Sequence, residues 1–423
     1  MPRNLPRDGL SLLIVSVSGR ALAEAALRAG LTPLVADFFA DTDTQEAAHA
    51  CRKLTGLARG FRWQSLYPAL SALAAAAPSP IIGLVCGSGF EDRPELLAAI
   101  ARRWTLLGTD AATVARIKAP EDFFATLDRL DIAHPPTRSE PPPRGDRSAK
   151  TWSAKTWLAK KRGGAGGSHI VPRRRAKATA ETYFQEHIDG RAVSALFIAN
   201  GGGARVLGFS EQWTAPRPSS PWRYGGAVCP ARVAPTLART MAAAIKKLAS
   251  AYPIRGLASA DFLLRGEEPL LLEINPRPGA TLDIFDRGRR PLVALHIEAV
   301  RDGKLPSRAL RLEDAMASAI VYAERPWQAP ADGAWPRWVA DRPKPSEWID
   351  KSRPICTVSA RAGTVAEAKR LAETRRRRIL QLCQSASRGN AGERQRKKSA
   401  TERHEKPAQR QRRGGGHRQG AHR

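Results

Sequence analysis

The chain has 423 residues, of which 42% are hydrophobic and 26% are charged. This length exceeds one ordinary domain, and the apolar content argues against wholesale disorder. The longest apolar stretch near the start, residues 12–17, is far shorter than the ~20 residues that cross a bilayer, and no secretory cleavage site follows it. The five cysteines include no CxxC pair, which argues against a disulfide framework or a zinc site. These features favour a cytoplasmic, non-membrane protein of several domains.

The formal net charge of +29 is unevenly distributed along the chain. Residues 388–423 contain 12 Lys and Arg but only 3 Asp and Glu, and they have almost no apolar side chains. This composition predicts a disordered basic tail, which we place at 386–423. Two interpretations are open: a solvated extension without a ligand, or a segment that binds nucleic acid or another anionic surface nonspecifically. The positive charge outside the tail suits an acidic ligand that bears phosphate.

The first 110 residues follow the alternation of a parallel α/β sheet. Apolar runs predict strands buried on both faces, and Ala- and Leu-rich segments between them predict helices. The predicted strands are 11–17, 31–36, 81–85 and 104–107, and the predicted helices are 20–29 and 94–103. The strand–glycine–helix order resembles a nucleotide-binding unit, but the full GxGxxG is absent, so no dinucleotide site is predicted here.

The rest of the chain divides into helical and mixed regions. Residues 111–132 are predicted to be helical, and the proline-rich stretch 134–145 is predicted to be a linker or surface loop. A second α/β region extends over 157–299. A third region contains a predicted strand at 355–360 and a predicted helix at 365–382.

The strongest chemical signal is a predicted hairpin of two apolar strands, 260–264 and 270–274. Folding about the polar turn brings Asp261 beside Glu273, and Asn275 points to the same face as Glu273. Hard divalent cations prefer such oxygen donors, and two acids among apolar neighbours are costly without a cation. We therefore predict that these three residues bind Mg²⁺ or Mn²⁺. The alternative is a surface hairpin with incidental acids.

A glycine-rich loop follows a short strand that ends at Lys160. Its glycines are Gly163, Gly164, Gly166 and Gly167. Backbone N–H groups of such a loop can wrap phosphate oxygens while the lysine supplies a charge. The order Gly-Lys-Ser/Thr is missing, so this is not a Walker A loop. A flexible linker is the alternative, but together with the downstream acids the loop predicts a lid over nucleotide phosphates.

Residues 183–191 form a third candidate segment, an extended stretch that stops at Gly190. It is either an ordinary strand and turn or a hinge between domains whose backbone contacts an adenine edge. Five histidines are scattered without metal-ligand spacing, and we expect structural or surface roles for them. They are His49, His134, His169, His187 and His296.

In this order the three segments resemble those of the ATP-grasp superfamily of ligases, and the resemblance covers about residues 10–380. It implies a fold of the α/β and α+β classes, with an amino-terminal parallel-sheet pre-ATP-grasp domain at 1–110. An ATP-grasp fold of two α+β subdomains is expected at 111–305, with a lid at about 150–190. A carboxy-terminal segment at 306–385 is expected to complete it.

The resemblance also implies roles for individual residues. Lys118 and Lys160 would hold the α and β phosphates of ATP, and the glycine loop would close over the β and γ phosphates. Arg277 would stabilise the transferring phosphoryl group or an acyl phosphate, and it is expected to be catalytic together with Lys160. In the hinge, the carbonyl of Glu186 and the N–H of Ile188 would pair with adenine. The expected ATP-binding residues are therefore Lys118, Lys160, Gly163, Gly164, Gly166, Gly167, Gln185, Glu186 and Ile188.

The implied activity is that of an ATP-dependent ligase, most simply one that forms carbon–nitrogen bonds. It would activate a small-molecule carboxylate as an acyl phosphate with MgATP and join it to an amine or thiol; a homo-oligomer is compatible with this. Segments 18–24, 37–43 and 87–91 are more narrowly similar to predicted carboligases linked to tetrahydromethanopterin-dependent one-carbon metabolism. The alternatives are a biotin-carboxylase-like carboxylase, a nucleotide sensor without turnover, and a nucleotide-binding protein that contacts nucleic acid through its basic tail.

Overall fold

The computed structural model describes residues 9–142 and 157–404, with side chains up to residue 384. Predictions for residues 143–156 and 405–423 lie outside the described residues. Over the described ranges, no helix has both the length and the apolar character needed to cross a membrane.

The amino-terminal part is a parallel sheet with helices on both faces. Its elements are β1 (Ser11–Val15), α1 (Arg20–Arg28), β2 (Thr32–Asp37), α2 (Thr42–Ala47), β3 (Ala50–Lys53), α3 (Trp63–Ala75), β4 (Ile81–Cys86) and α4 (Pro94–Ala101). The strands pair in parallel in the order β3-β2-β1-β4. Leu12 and Ile14 of β1 belong to the core that includes α1, whereas Leu13 and Val15 belong to the core that includes α3 and α4. This two-sided burial explains the continuous apolar run of β1.

The structure differs from the predictions for this sheet in two places. Residues 104–107 form only a bridge between Leu106 and Leu84 instead of a full strand. Strand β3 and helix α3 were not predicted, because β3 has the sequence Ala-Cys-Arg-Lys without an apolar run, and α3 contains Pro68 in its interior. Both elements depend on contacts with the neighbouring strand and helices more than on local propensity.

Two helices and a small sheet follow. They are α5 (Ala111–Lys118), α6 (Pro120–Arg129), β5 (Thr137–Arg138), β6 (Trp157–Lys161), β7 (Ile170–Pro172) and β8 (Thr182–Glu186). The four strands form an antiparallel sheet in the order β5-β8-β6-β7. We call it the lid sheet, because the glycine-rich loop connects β6 to β7.

The remaining elements build a large antiparallel sheet and its helices. They are β9 (Arg191–Asn200), β10 (Ala204–Thr214), β11 (Tyr224–Cys229), α7 (Pro235–Ala251), β12 (Arg255–Arg265), β13 (Glu268–Asn275), α8 (Leu282–Phe285), α9 (Leu292–Arg301), β14 (Ala315–Tyr322), β15 (Trp327–Gln328), β16 (Val339–Ala340), β17 (Trp348–Ile349), β18 (Pro354–Ala362) and α10 (Val365–His404). The large sheet has the order β13-β12-β9-β10-β11-β14-β18-β16, and β15 pairs separately with β17. Helix α7 packs on one face of β9 and β12, and α9 packs on the other.

Helix α10 is longer than predicted. It continues to His404, past residue 382 and into the range 386–423 for which we predicted disorder. The continuation is rich in Arg, Lys, Gln and Glu, which are good helix formers, and the next proline comes only at Pro407. High charge therefore did not by itself exclude a helix.

A buried arginine ties the three parts of the chain together. Arg20, at the start of α1, donates from Nη2 to Asp283 at 2.6 Å and from Nε to Asp341 at 2.7 Å. Its side chain is only 5% exposed. Because an unpaired buried charge is costly, this arginine fixes the amino-terminal sheet against α8 and against the loop before β17.

A histidine makes a second tie between the amino-terminal part and the large sheet. His296 Nδ1 accepts from the Leu257 N–H at 2.8 Å, so its Nε2 carries the proton that is donated to the Leu107 carbonyl at 2.9 Å. Gly256 has a φ of +81°, and a Cβ there would lie 2.4 Å from the imidazole ring. Burial lowers the pKa of His296 to about 4.

The free energy of unfolding should therefore decrease in mild acid, because the folded chain keeps His296 neutral. The unfolded chain protonates this histidine below about pH 6.5, whereas the folded chain stays neutral down to about 4, so stability is lost as the pH falls through this window. At pH 5 the contribution is about 2 kcal/mol. We expect urea unfolding of His296→Gln to depend less on pH between 7.5 and 5 than wild type does, by about this amount.

The control for this measurement is His49→Gln, which replaces an exposed histidine. It should keep the pH dependence of wild type. An unchanged pH dependence in His296→Gln would contradict the assignment.

Candidate active site

The predicted hairpin is present, and it places the two acids opposite each other. Strands β12 and β13 pair with Asp261 opposite Glu273 and Ser259 opposite Asn275. Asn275 Nδ2 donates to Glu273 Oε1 at 3.1 Å and lies 3.3 Å from Asp261 Oδ2. Ser194 on β9 donates its hydroxyl to Asp261 Oδ1 at 2.6 Å. Two carboxylates and one amide therefore share one face of the sheet.

This donor set is small but suits a hard cation. Among the described residues, no group of three or more His, Cys, Asp or Glu is arranged to hold a metal ion. Mg²⁺, however, commonly takes one or two carboxylates and completes its coordination with water and substrate phosphates. The pair of acids with Asn275 fits that pattern.

The two acids have opposite electrostatic environments. Burial, and then the charge of Glu273, raise the pKa of Asp261 to about 7. Burial by itself would also raise the pKa of Glu273, but Lys118, His169 and Lys160 outweigh it and lower that pKa to about 2. Glu273 is therefore the carboxylate that the surrounding cations keep ionised, and Asp261 gains most from an additional cation.

Two lysines reach these acids from different elements. Lys118, the last residue of α5, donates from Nζ to Asn275 Oδ1 at 3.0 Å and lies 3.7 Å from Glu273 Oε2. Lys160 on β6 is buried, and its ammonium donates to Gln185 Oε1 at 2.6 Å. Burial lowers the pKa of Lys160 to about 8, although Glu273 and Asp261 oppose this. Lys118 thus lies against Glu273, and Lys160 is near enough to both acids for their charges to affect its pKa.

The predicted hinge residues lie where the lid sheet joins the large sheet. Gln185 and Glu186 end β8, and Ile188 lies in the connection to β9. The Gln185 side chain is buried and also donates to Thr137 Oγ1 at 3.0 Å. Gln185 thus holds Lys160 in place, which is a role that the sequence did not reveal.

The glycine-rich loop folds against the connection between β10 and β11. Tyr224 donates its backbone N–H to the Gly166 carbonyl at 3.0 Å. Gly167 has a φ of +70°, and a Cβ there would lie 1.9 Å from the Trp222 carbonyl oxygen. On the other side, a Cβ at Gly163 would lie 2.6 Å from the Asp92 Cα. Glycine is required at both ends of the loop because neighbouring backbone approaches so closely.

Sequence reasoning missed two residues beside Glu273. His169, which follows the glycine loop, is one of the charges that lower the Glu273 pKa, and burial lowers its own pKa to about 4. Tyr183 on β8 is partly buried, and this burial and then the charge of Glu273 raise the pKa of its hydroxyl. Neither residue stands at a recognisable spacing from Glu273 in the sequence, because only the tertiary fold brings them near its carboxylate.

Arg277 follows β13 and reaches the amino-terminal sheet. Its Nε donates to Glu91 Oε1 at 2.7 Å, and the Glu91 side chain is only 3% exposed. Glu91 Oε2 accepts from the backbone N–H groups of Gly89 and Phe90 at 2.8 and 3.0 Å. Burial would raise the pKa of Glu91, but Arg277 and Lys118 outweigh it and hold that pKa below its usual value. Arg277 is thus oriented by the loop after β4.

Comparisons with known proteins identify the domain that carries this site. Residues 124–281 match the family model of an ATP-grasp domain. A search of curated proteins finds no match. The solved structures that resemble the chain include N5-carboxyaminoimidazole synthetase from Staphylococcus aureus, with 16% identity and a TM-score of 0.61 over 88% of this chain and 98% of that chain.

Two further similar structures are ligases by name. L-amino acid ligase from Bacillus licheniformis has 12% identity and a TM-score of 0.62, over 87% of this chain and 97% of that one. Phosphoribosylamine–glycine ligase from Thermotoga maritima has 15% identity and a TM-score of 0.60, over 86% and 96%. These findings confirm the predicted fold class, and they place an ATP-grasp domain at residues 124–281, within the range that the resemblance covers.

The packing of the glycine loop can be tested by Gly167→Ala. The methyl group would meet the Trp222 carbonyl and the backbone would be strained at positive φ, so the loop should detach from its neighbours. We expect trypsin to cleave after Lys161 or Arg162 roughly tenfold faster than in wild type, as a locally opened segment would allow. Limited proteolysis followed by mass spectrometry measures this rate.

The matched control is Gly202→Ala, at an exposed glycine where a Cβ would have no neighbour within 4 Å. It should be cleaved like wild type. Equal cleavage of Gly167→Ala and wild type would show that the loop does not depend on this contact.

Proposed function

We propose that the protein activates a substrate carboxylate as an acyl phosphate at the expense of MgATP and joins it to an amine or thiol acceptor. The observation that carries the proposal is the convergence of Asp261, Glu273 and Asn275 with Lys118 and Lys160 beside the glycine loop. Acids that hold a cation and lysines that hold phosphates are both needed where the γ-phosphoryl group of a triphosphate is transferred and ADP leaves.

The cation has a defined place in this proposal. Asp261, Glu273 and Asn275 would hold Mg²⁺, and Asp261 is the acid whose ionisation the cation would favour. When bound, the ion would neutralise the negative oxygens that crowd together during phosphoryl transfer. Mn²⁺ would occupy the same oxygen donors.

The chain's cations would then bind the nucleotide. Lys118 would exchange its bond with Asn275 for a phosphate oxygen, and Lys160 would present its ammonium from the buried side of the lid sheet. The N–H groups of residues 163–167 would face the terminal phosphates. The connection between β8 and β9, which contains Glu186 and Ile188, would lie along the adenine.

Arg277 would stabilise the transferring phosphoryl group or the acyl phosphate. The ion pair with Glu91 fixes its guanidinium in one orientation, so little rotamer freedom is lost when substrate binds. Glu91 lies after β4 at the carboxyl edge of the parallel sheet, where α/β folds place ligands. This edge would therefore receive the acceptor. The similarity of segments 18–24, 37–43 and 87–91 to one-carbon carboligases supports an acceptor related to a pterin-type cofactor.

The variant Glu273→Gln tests the proposal. It keeps the shape of the side chain but removes the charge that Lys118 and Lys160 surround, so the cation should lose its main ligand. We expect Mg²⁺-dependent ADP release, screened against pools of carboxylates and amines, to fall by at least about a hundredfold, or ~3 kcal/mol. Circular dichroism should show an unchanged fold.

Glu268→Gln is the control, because Glu268 lies on the same strand but is paired with Arg265 at the exposed hairpin tip. It should retain full activity. A fully active Glu273→Gln protein would refute the metal assignment, and a wild-type protein that releases no ADP with any pool would count against the ligase itself.

A further inference from the structure

Two arginines, Arg217 and Arg223, lie in the connection between β10 and β11, which is bonded to the glycine loop. Arg223 lies flat on the Tyr322 ring, with Cζ 3.6 Å from the ring centroid. Its Nε donates to the Ala215 carbonyl at 2.9 Å and its Nη1 to the Ser352 carbonyl at 3.3 Å. Arg217 lies in the same connection, where its backbone pairs with Ser220. The guanidinium of Arg223 is therefore held rigidly.

These arginines have no acidic partner. In the part of the chain that the structure describes, neither Arg217 nor Arg223 forms an ion pair, and Nε of Arg217 is buried without a hydrogen-bond partner. Burial, and in smaller part the charge of Arg217, lower the pKa of Arg223. Arg175 adds further positive charge, since its Nη1 donates to the Pro218 carbonyl at 2.7 Å. Placing like charges together is unfavourable unless an anion neutralises them.

The connection that carries the arginines is bonded to the lid. Besides the bond from Tyr224 to Gly166, Ser220 Oγ donates to the Ser168 carbonyl at 3.3 Å. Strands β9 and β10 separate β12 from β11, so three strand spacings, about 14 Å, lie between the strand of Asp261 and the strand that begins after Arg223. The arginines are thus bonded to the lid but are set apart from the acid pair by three strand spacings.

We propose that Arg217 and Arg223 form a subsite for a second anionic group of the substrate, most simply a carboxylate, distant from the carboxylate that is activated. The proposal rests on the proposed ligase function and specifies its substrate class as a compound with two anionic groups. The guanidinium of Arg223 is planar and stacked, and both N–H groups of Nη2 are unpaired within the described residues. This geometry suits the forked recognition of a carboxylate.

The separation from the metal-binding acids argues against a nucleotide phosphate as the occupant. Lys118 and Lys160 already supply positive charge at the acids. The arginines instead lie in the connection that is bonded to the glycine loop, and Arg223 contacts Ser352 from the carboxy-terminal part of the chain. A substrate that extends from the carboxylates past the loop would end between these side chains.

Calorimetric titration of the full-length protein with linear dicarboxylates tests the subsite. The nucleotide site is first filled with MgADP, and linear dicarboxylates from succinate to dodecanedioate, whose extended length matches the three strand spacings, are compared with monocarboxylates of equal chain length. We expect at least one dicarboxylate to bind roughly tenfold more tightly than its monocarboxylate. Arg223→Gln and Arg217→Gln should each remove this preference. Arg205→Gln, at an exposed arginine on β10, should keep it.

Three results would overturn the subsite. The first is the absence of any dicarboxylate preference in wild type, and the second is a preference that survives both substitutions. The third is an equal loss of MgADP affinity in Arg223→Gln, which would assign the arginines to the nucleotide. If wild type does not bind MgADP, the ligase proposal fails, and the same titration without nucleotide then decides the subsite separately.

Discussion

The repulsion between Asp261 and Glu273 is the constraint around which the site is arranged. The ladder of β12 and β13 holds these carboxylates opposite each other, and both are partly buried. Two partly buried like charges this close do not both ionise without compensation. Lys118 from α5 and Lys160 from the lid sheet provide part of it, and one acid still titrates near neutrality. A site built in this way suits a cation and, through the same lysines, the anionic oxygens that would accompany it.

The second feature of the site is that separate parts of the chain supply its groups. Glu91 from the amino-terminal sheet orients Arg277, and the buried Arg20 connects that sheet to α8 and to Asp341. Breaking either pair would leave a buried charge without its partner, which is far more costly than losing a surface ion pair. These pairs therefore hold the parts in a fixed relation, and catalysis by positioning requires such a relation.

The local pattern of the sequence was sufficient for the hairpin, because two apolar strands, a polar turn and alternating side chains determine which residues share a face. It was also sufficient for the buried strand β1. Lys118 and Lys160 were named through the resemblance to ATP-grasp proteins, and their predicted role in binding ATP stays a prediction. The proximity of His169 and Tyr183 to Glu273 could not be predicted, because it results from packing of the lid sheet over another element.

The same limit applies to pairs of residues that are far apart in the chain. Glu91 and Arg277 are separated by 186 positions, and the bond between them depends on how the parallel sheet meets the end of β13. The Arg217 and Arg223 pair has no motif and becomes visible only through the missing acidic partner and the stacking on Tyr322. Helix α10 shows a different limit, since its charged continuation up to His404 consists largely of residues that favour a helix.

The most direct measurement of the central claim is a crystal structure of the protein with Mn²⁺ and a non-hydrolysable ATP analogue, in which anomalous scattering locates the metal. We expect Mn²⁺ bonded to carboxylate oxygens of Glu273 and Asp261 and to Asn275, with Lys118 and Lys160 on the phosphates. A nucleotide bound elsewhere, or Mn²⁺ found only on exposed acids, would contradict the assignment of this site.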